Sequence, residues 1–146
     1  MNVWSIGAAV LIGAAVLLSA YVRLKPVPAA LFTKMPGPME PGQHVGRGGF
    51  KAVLPIAAPG EDALARLDAI IRATPRTRRV EKPEDSPASY VTRTIFWGFP
   101  DVTNVWVQDG HLHIHARLVY GGSDLGVNRK RVLAWLEAFE ALDQPG

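Results

Sequence analysis

The chain contains no cysteine, which removes disulfide scaffolds, thiolate metal sites, iron–sulfur clusters, thiol catalysis and cysteine-linked lipid anchors in one step. It also lacks charge at its start. No Asp, Glu, Lys or Arg precedes Arg23, so all 16 basic and 13 acidic residues fall in the remaining 124 positions. Acidic residues stay scarce in the next stretch. Residues 23–60 carry Arg23, Lys25, Lys34, Arg47 and Lys51 against Glu40 alone, whereas residues 61–146 carry eleven basic and twelve acidic residues. The net charge of +3 therefore belongs to the intermediate segment and not to a basic face of a folded domain. Nucleic-acid binding needs basic residues clustered on a folded surface or a long basic arm. Neither is visible, and nucleic acid is excluded as a partner.

What stands at the start is a run of apolar and small residues from Val3 to Val22, broken by Ser5 and Ser19. About 20 such residues at helical rise cross a hydrocarbon core of ~30 Å. Trp4 and Tyr21 lie near the two ends, where amphipathic rings prefer the interface. A cleaved leader is the rival reading. The missing N-terminal Lys or Arg, the length of the run and the poor cleavage site around Ser19-Ala20 favour a retained anchor over residues 1–22. The lipid bilayer is then a partner through residues 3–22, in a single-pass protein of a bacterial inner membrane. Arg23, Lys25 and Lys34 follow the span, so the positive-inside rule by itself places the rest of the chain in the cytoplasm.

Residues 23–60 hold seven Pro and six Gly. That composition predicts an extended, basic tether reaching roughly 35 Å as a flexible coil. Positive charges beside a span favour anionic lipid by about 1 kcal/mol each. Phe50 to Ile56 is expected at most as an edge strand, because Pro55 is incompatible with a central one.

A folded domain is expected over 61–146. Glu61 and Asp62 suit a helix N-terminus, and Leu64, Leu67, Ile70 and Ile71 recur at helical spacing up to Thr74-Pro75. Four strands are predicted at Arg76–Glu81, Ser89–Trp97, Val102–Gln108 and His111–Val119, with turns at Lys82–Pro87 and Gly98–Asp101. Asp109-Gly110 is the strongest hairpin signal. After Gly121-Gly122, Ser123 or Asp124 caps a last helix reaching about Leu142, with Val132, Trp135, Leu136, Phe139 and Leu142 on its buried face. The fold class is α+β: an N-terminal transmembrane helix, then an α-β-β-β-β-α domain whose antiparallel sheet is packed by helices on one face.

Three constellations could carry function. The last helix places Arg129, Lys130 and Arg131 in its first half and Glu137, Glu140 and Asp143 near its end, against the macrodipole preference. Such a start either holds an anion, with Gly121, Gly122 and Gly126 allowing close approach, or pairs its cations with Asp101, Asp109 or Asp124. Alternation puts Arg76 and Arg78 on one strand face, and Arg93 with Val91 and Ile95. Finally, His111, His113 and His115 share a face opposite Leu112, Ile114, Ala116 and Leu118. His111 and His115 are roughly 13 Å apart along the strand, so they do not share one ion easily, and the trio is expected on the solvated face. No metal or cofactor is expected. Trp97, Phe99 and Trp106, near the Gly98 turn, either line an apolar groove or seal the core.

Four stretches together carry a resemblance: Ala73-Thr74-Pro75-Arg76-Thr77-Arg78; Tyr90-Val91-Thr92-Arg93; Gly98-Phe99-Pro100-Asp101; and, most specific, Ser123-Asp124-Leu125-Gly126-Val127-Asn128-Arg129-Lys130-Arg131-Val132. Across roughly Leu64 to Leu136 the chain resembles the DUF1499 family of uncharacterised bacterial and plastid proteins. The resemblance implies a hydrophobic anchor or leader and an exported domain, which favours the periplasmic side against the charge rule. The chain departs from the family pattern at Leu118-Val119, where a Ser-Arg pair would be expected. The histidine trio is not part of that pattern. No activity comes with the resemblance.

The expected function is therefore that of a membrane-anchored binding or accessory module. Arg76, Arg78, Arg93, Ser123, Asp124, Asn128 and Arg129 would recognise a membrane-protein partner or an anionic ligand such as a lipid headgroup. The alternative is a hydrolase or lyase acting on an anionic substrate, with Asp124 or Asp101 as base.

Overall fold

The computed structural model describes residues 2–57, 59–81 and 86–142. Most of the turn expected at 82–87, and Asp143, lie outside the described residues. Three α-helices, α1 (Val3–Leu24), α2 (Gly60–Arg72) and α3 (Val127–Ala141), accompany six strands. These are β1 (Gly42–Gly46), β2 (Gly49–Pro55), β3 (Thr77–Val80), β4 (Ala88–Arg93), β5 (Pro100–Gln108) and β6 (His111–Leu118). They form one sheet in the order β1-β2-β6-β5-β4-β3, antiparallel at every pairing. The α+β class expected from the sequence is observed; β1 joins the four expected strands, and the edge strand allowed at Phe50–Ile56 is β2.

Strands β1 and β2 correct the tether expected over 23–60. Residues 42–55 fold into a hairpin, and β2 is an interior strand, pairing from Gly49↔Arg117 to Pro55↔His111 with β6. Pro55 is compatible with this because it closes the strand, where its missing N–H costs no ladder bond. Phe50, Ala52 and Leu54 point to the helical layer, where Phe50 and Ala52 are fully buried.

That layer holds the main core. Ala63, Leu67 and Ile71 of α2 and Val132, Trp135, Leu136 and Phe139 of α3 pack on Tyr90, Val105, Leu112, Ile114 and Ala116. The helical periodicity of the sequence predicts both faces, except that Leu142, expected on the buried face of α3, follows the helix and is exposed. Trp135 Nε1 donates to Thr74 Oγ1 at 2.8 Å, tying α3 to the end of α2. In the β5–β6 hairpin, Asp109 (φ 51°) and Gly110 (φ 74°) both occupy the left-handed region, as a type I′ turn requires.

The opposite face of the sheet is not open to solvent. The segment between α1 and β1, including a 3-10 turn at Ala29–Phe32, lies across it as a strap. Phe32, Leu31 and Val27 pack on Val91 and Val102. Lys51 donates to Pro36 O, Arg117 Nη2 to Leu31 O at 2.9 Å, and Ser89 Oγ to Phe32 O at 3.0 Å. Side chains of the sheet thereby satisfy strap carbonyls that no regular ladder serves. This corrects the expected solvated face of β6. His113 is buried and stacks on Trp106 with ring centroids 4.9 Å apart, while His115 lies half-buried beside Arg117.

Helix α1 stands apart from both layers. It is long and apolar enough to cross a membrane, and none of its most apolar 18-residue window is buried. Among the described residues, its hydrogen bonds with the domain come from Ser19, Val22 and Arg23, on one helical face near its end.

Candidate functional site

Four arginines converge where α1 meets the sheet. Arg23, Arg76, Arg78 and Arg93, with Thr77, Val91 and Thr94, line a cleft of about 360 Å³. Among the described residues, no carboxylate lines it. Each arginine is placed by a different local cause. Arg93 ends β4 on the strap face, where Nη1 donates to Gly98 O at 2.8 Å and to Val22 O at 3.4 Å. Arg78 follows from the β3 register opposite Val91. Arg76 precedes β3 with φ 57°, so strand alternation does not set its direction. Its Nε instead donates to Arg93 O at 3.1 Å.

Arg23 arrives from the last turn of α1 and donates through Nη2 to Ile95 O (3.1 Å) and Phe96 O (3.3 Å). Gly98, at φ +76°, makes this possible. A Cβ there would stand 2.6 Å from Arg23 Cγ, within the space the guanidinium stem occupies.

The electrostatics of the cleft follow from this crowding. Burial, then the positive charges of Arg78 and Arg23, pull the Arg93 pKa down from its usual value. Arg93 is spent on backbone carbonyls, whereas the guanidinium of Arg78 and the Nη groups of Arg76 meet no partner among the described residues. Such a site favours an anion, for which guanidinium groups offer paired donors.

The other expected site residues do not join this cleft. Ser123, Asp124 and Arg129 line a separate hollow of about 590 Å³ with Arg47 and the glycines of the β1–β2 turn. Asp124 is committed there. Its Oδ2 accepts from Asn128 N at 2.9 Å and its Oδ1 from Gly126 N at 3.1 Å. Burial pushes its pKa up, but these backbone donors outweigh it and leave the carboxyl below the usual range. Asn128 is fully buried and accepts from Arg131 Nη1 at 2.8 Å, while the same nitrogen reaches Asp101 Oδ2 at 3.1 Å. Burial raises the Asp101 pKa, against the pull of Arg131. The pairing reading of the α3 cations thus describes Arg131, and Asp124 serves as a helix cap.

The histidines also separate. His111 Nδ1 lies 2.8 Å from Asp109 O, His113 stacks on Trp106 and His115 meets Arg117. Among the described residues no group of three or more His, Asp or Glu comes together to hold a metal. The residue the sequence reading missed is Arg23, counted there only as a charge flanking the span. Its spacing carried no further signal, because its cleft partners lie more than fifty residues away.

Together these features define a small α+β domain carried behind an apolar helix, with an arginine-lined cleft at the junction. The sequence matches DUF1499, a family described as protein of unknown function, over residues 49–139. The chain belongs to that family. The match begins at β2, in agreement with the structural place of that strand in the sheet. No match is found among curated proteins.

Proposed function

We infer that the protein is a membrane-anchored binding module that captures an anionic ligand with Arg76 and Arg78, in a cleft whose positive charge Arg23 and Arg93 complete. The observation that carries this reading is the convergence of four guanidinium groups on a cleft that no carboxylate lines among the described residues. Unpaired like charges held together cost free energy, and an anion relieves that cost. The exposed, apolar α1 supports membrane anchoring, since a face of that size needs a lipid or protein cover. The family resemblance supports a periplasmic domain on a bacterial inner membrane. A catalytic reading has less support, because Asp124 caps α3 and Asp101 is paired with Arg131.

The test is purification of full-length protein in detergent, with mass spectrometry of what is retained. Wild-type protein is expected to retain an anionic molecule, and Arg76→Ala/Arg78→Ala to lose it, while Arg129→Ala keeps it. Retention of the same molecule by the double variant would remove the cleft from binding. A stoichiometric membrane-protein partner lost in the double variant would instead make the module an accessory subunit docking through these arginines.

A further inference from the structure

The arginine cleft shares Arg23 with an apolar groove that runs up α1. The groove, of about 490 Å³, is formed by Ile12, Ala15, Val16 and Ala20 on the helix and Phe96 from the β4–β5 loop. Arg23 lines both the groove and the cleft. Small side chains at Ala15 and Ala20 leave the hollow. Ser19 adds little polarity, because its hydroxyl is turned to the carbonyls of Phe96 and Trp97 at 3.3 and 3.5 Å.

We propose that groove and cleft form one site for an anionic phospholipid, with its phosphate at the arginines and an acyl chain beside Phe96. This rests on the reading of the cleft as an anion site. Three features match this occupant. From Ile12 to Arg23 the helix rises about 16 Å at roughly 1.5 Å per residue, close to one leaflet of a hydrocarbon core ~30 Å thick. Arg23 stands at the end of the apolar run, at the depth where phosphates lie when α1 spans a bilayer. Ile95 and Phe96 are 73% and 71% exposed alongside the last turns of α1, so the loop presents its own apolar side chains at the same depth. A soluble anion uses the cleft alone; a phospholipid uses both halves.

The experiment uses full-length protein in detergent micelles, with bound lipid counted by native mass spectrometry. Probes are dioleoylphosphatidylglycerol, its dihexanoyl analogue, dioleoylphosphatidylcholine and inorganic phosphate. Wild-type protein should retain the long-chain phosphatidylglycerol in preference to phosphatidylcholine and to the short-chain analogue. Arg76→Ala/Arg78→Ala should weaken retention about 30-fold, two interfacial charges being removed. Ala20→Phe, which fills the groove, should weaken the long-chain lipid and leave phosphate binding intact. Equal retention of long and short chains, with displacement by inorganic phosphate, would overturn the lipid site and leave the anion site standing. Binding of neither phosphatidylglycerol nor phosphate would overturn both. A co-purifying protein released by Ala20→Phe would overturn the lipid as occupant. Chain-length preference is read on the wild-type chain, so the test survives a variant that fails to fold.

Discussion

Arg117 Nη1 lies 2.7 Å from His115 Nδ1 on the sheet face beneath the strap. A guanidinium only donates, so Nδ1 accepts and the ring is neutral with its proton on Nε2. Burial, then the charges of Arg117 and Lys51, push its pKa down from 6.5 to about 4. The unfolded ring titrates at the ordinary value. The contribution of His115 to stability is thus fully present above pH 6.5 and is lost as the pH falls towards about 4. The loss is of order 3 kcal/mol at most. Urea unfolding across that window should show a smaller loss for His115→Gln than for wild type. Equal losses would mean that the ring charges freely in the folded chain.

Lys51 secures the same strap. It is 2% exposed, donates to Pro36 O and sits 4.7 Å from the centre of the Trp106 ring. Lys51→Met keeps an aliphatic stem but removes the donor and the cation–π contact. The expected cost is about 1–2 kcal/mol, together with faster proteolytic cleavage between β1 and α1. Unchanged cleavage would show that the strap is held by Phe32 and Arg117 without Lys51.

Breaking the Asp101–Arg131 pair should be the costlier change. Both partners are largely buried, so Arg131→Met leaves a carboxylate in a poorly solvated site, at about 3–5 kcal/mol. Asp101→Asn removes that charge, and the double variant should unfold at higher denaturant than Arg131→Met alone. Simple additivity of the two single changes would refute the coupling.

Asp124→Ala removes the cap that serves Gly126 and Asn128. The expected loss is about 1–2 kcal/mol. Because the folded carboxyl titrates below its usual range, its contribution is present above the unfolded pKa and disappears as the pH falls through the depressed one. Anion retention at the arginine cleft should not change. Loss of retention in a folded Asp124→Ala protein would tie the α3 hollow to the binding site.

The amino-acid sequence determined the features that depend on neighbours in the chain. The uncharged run before Arg23, the helical periodicities of α2 and α3, the Asp109-Gly110 turn and the alternation along β6 are all set by a few adjacent residues, because turn and helix energetics are local. The alternation of His111, His113 and His115 was legible in the same way. Its environment was not, since only the strap crossing the sheet decides which face meets water. Likewise β2 holds a lysine and a terminal proline, and its interior position comes from pairing with β6, some sixty residues later. The cleft was half visible: Arg76, Arg78 and Arg93 stand close in sequence, but Arg23 joins them through its bonds to Ile95 and Phe96. Pairing across the sheet and docking of α1 are long-range contacts. They form only when the whole chain closes on itself, so their partners leave no periodic trace in the sequence.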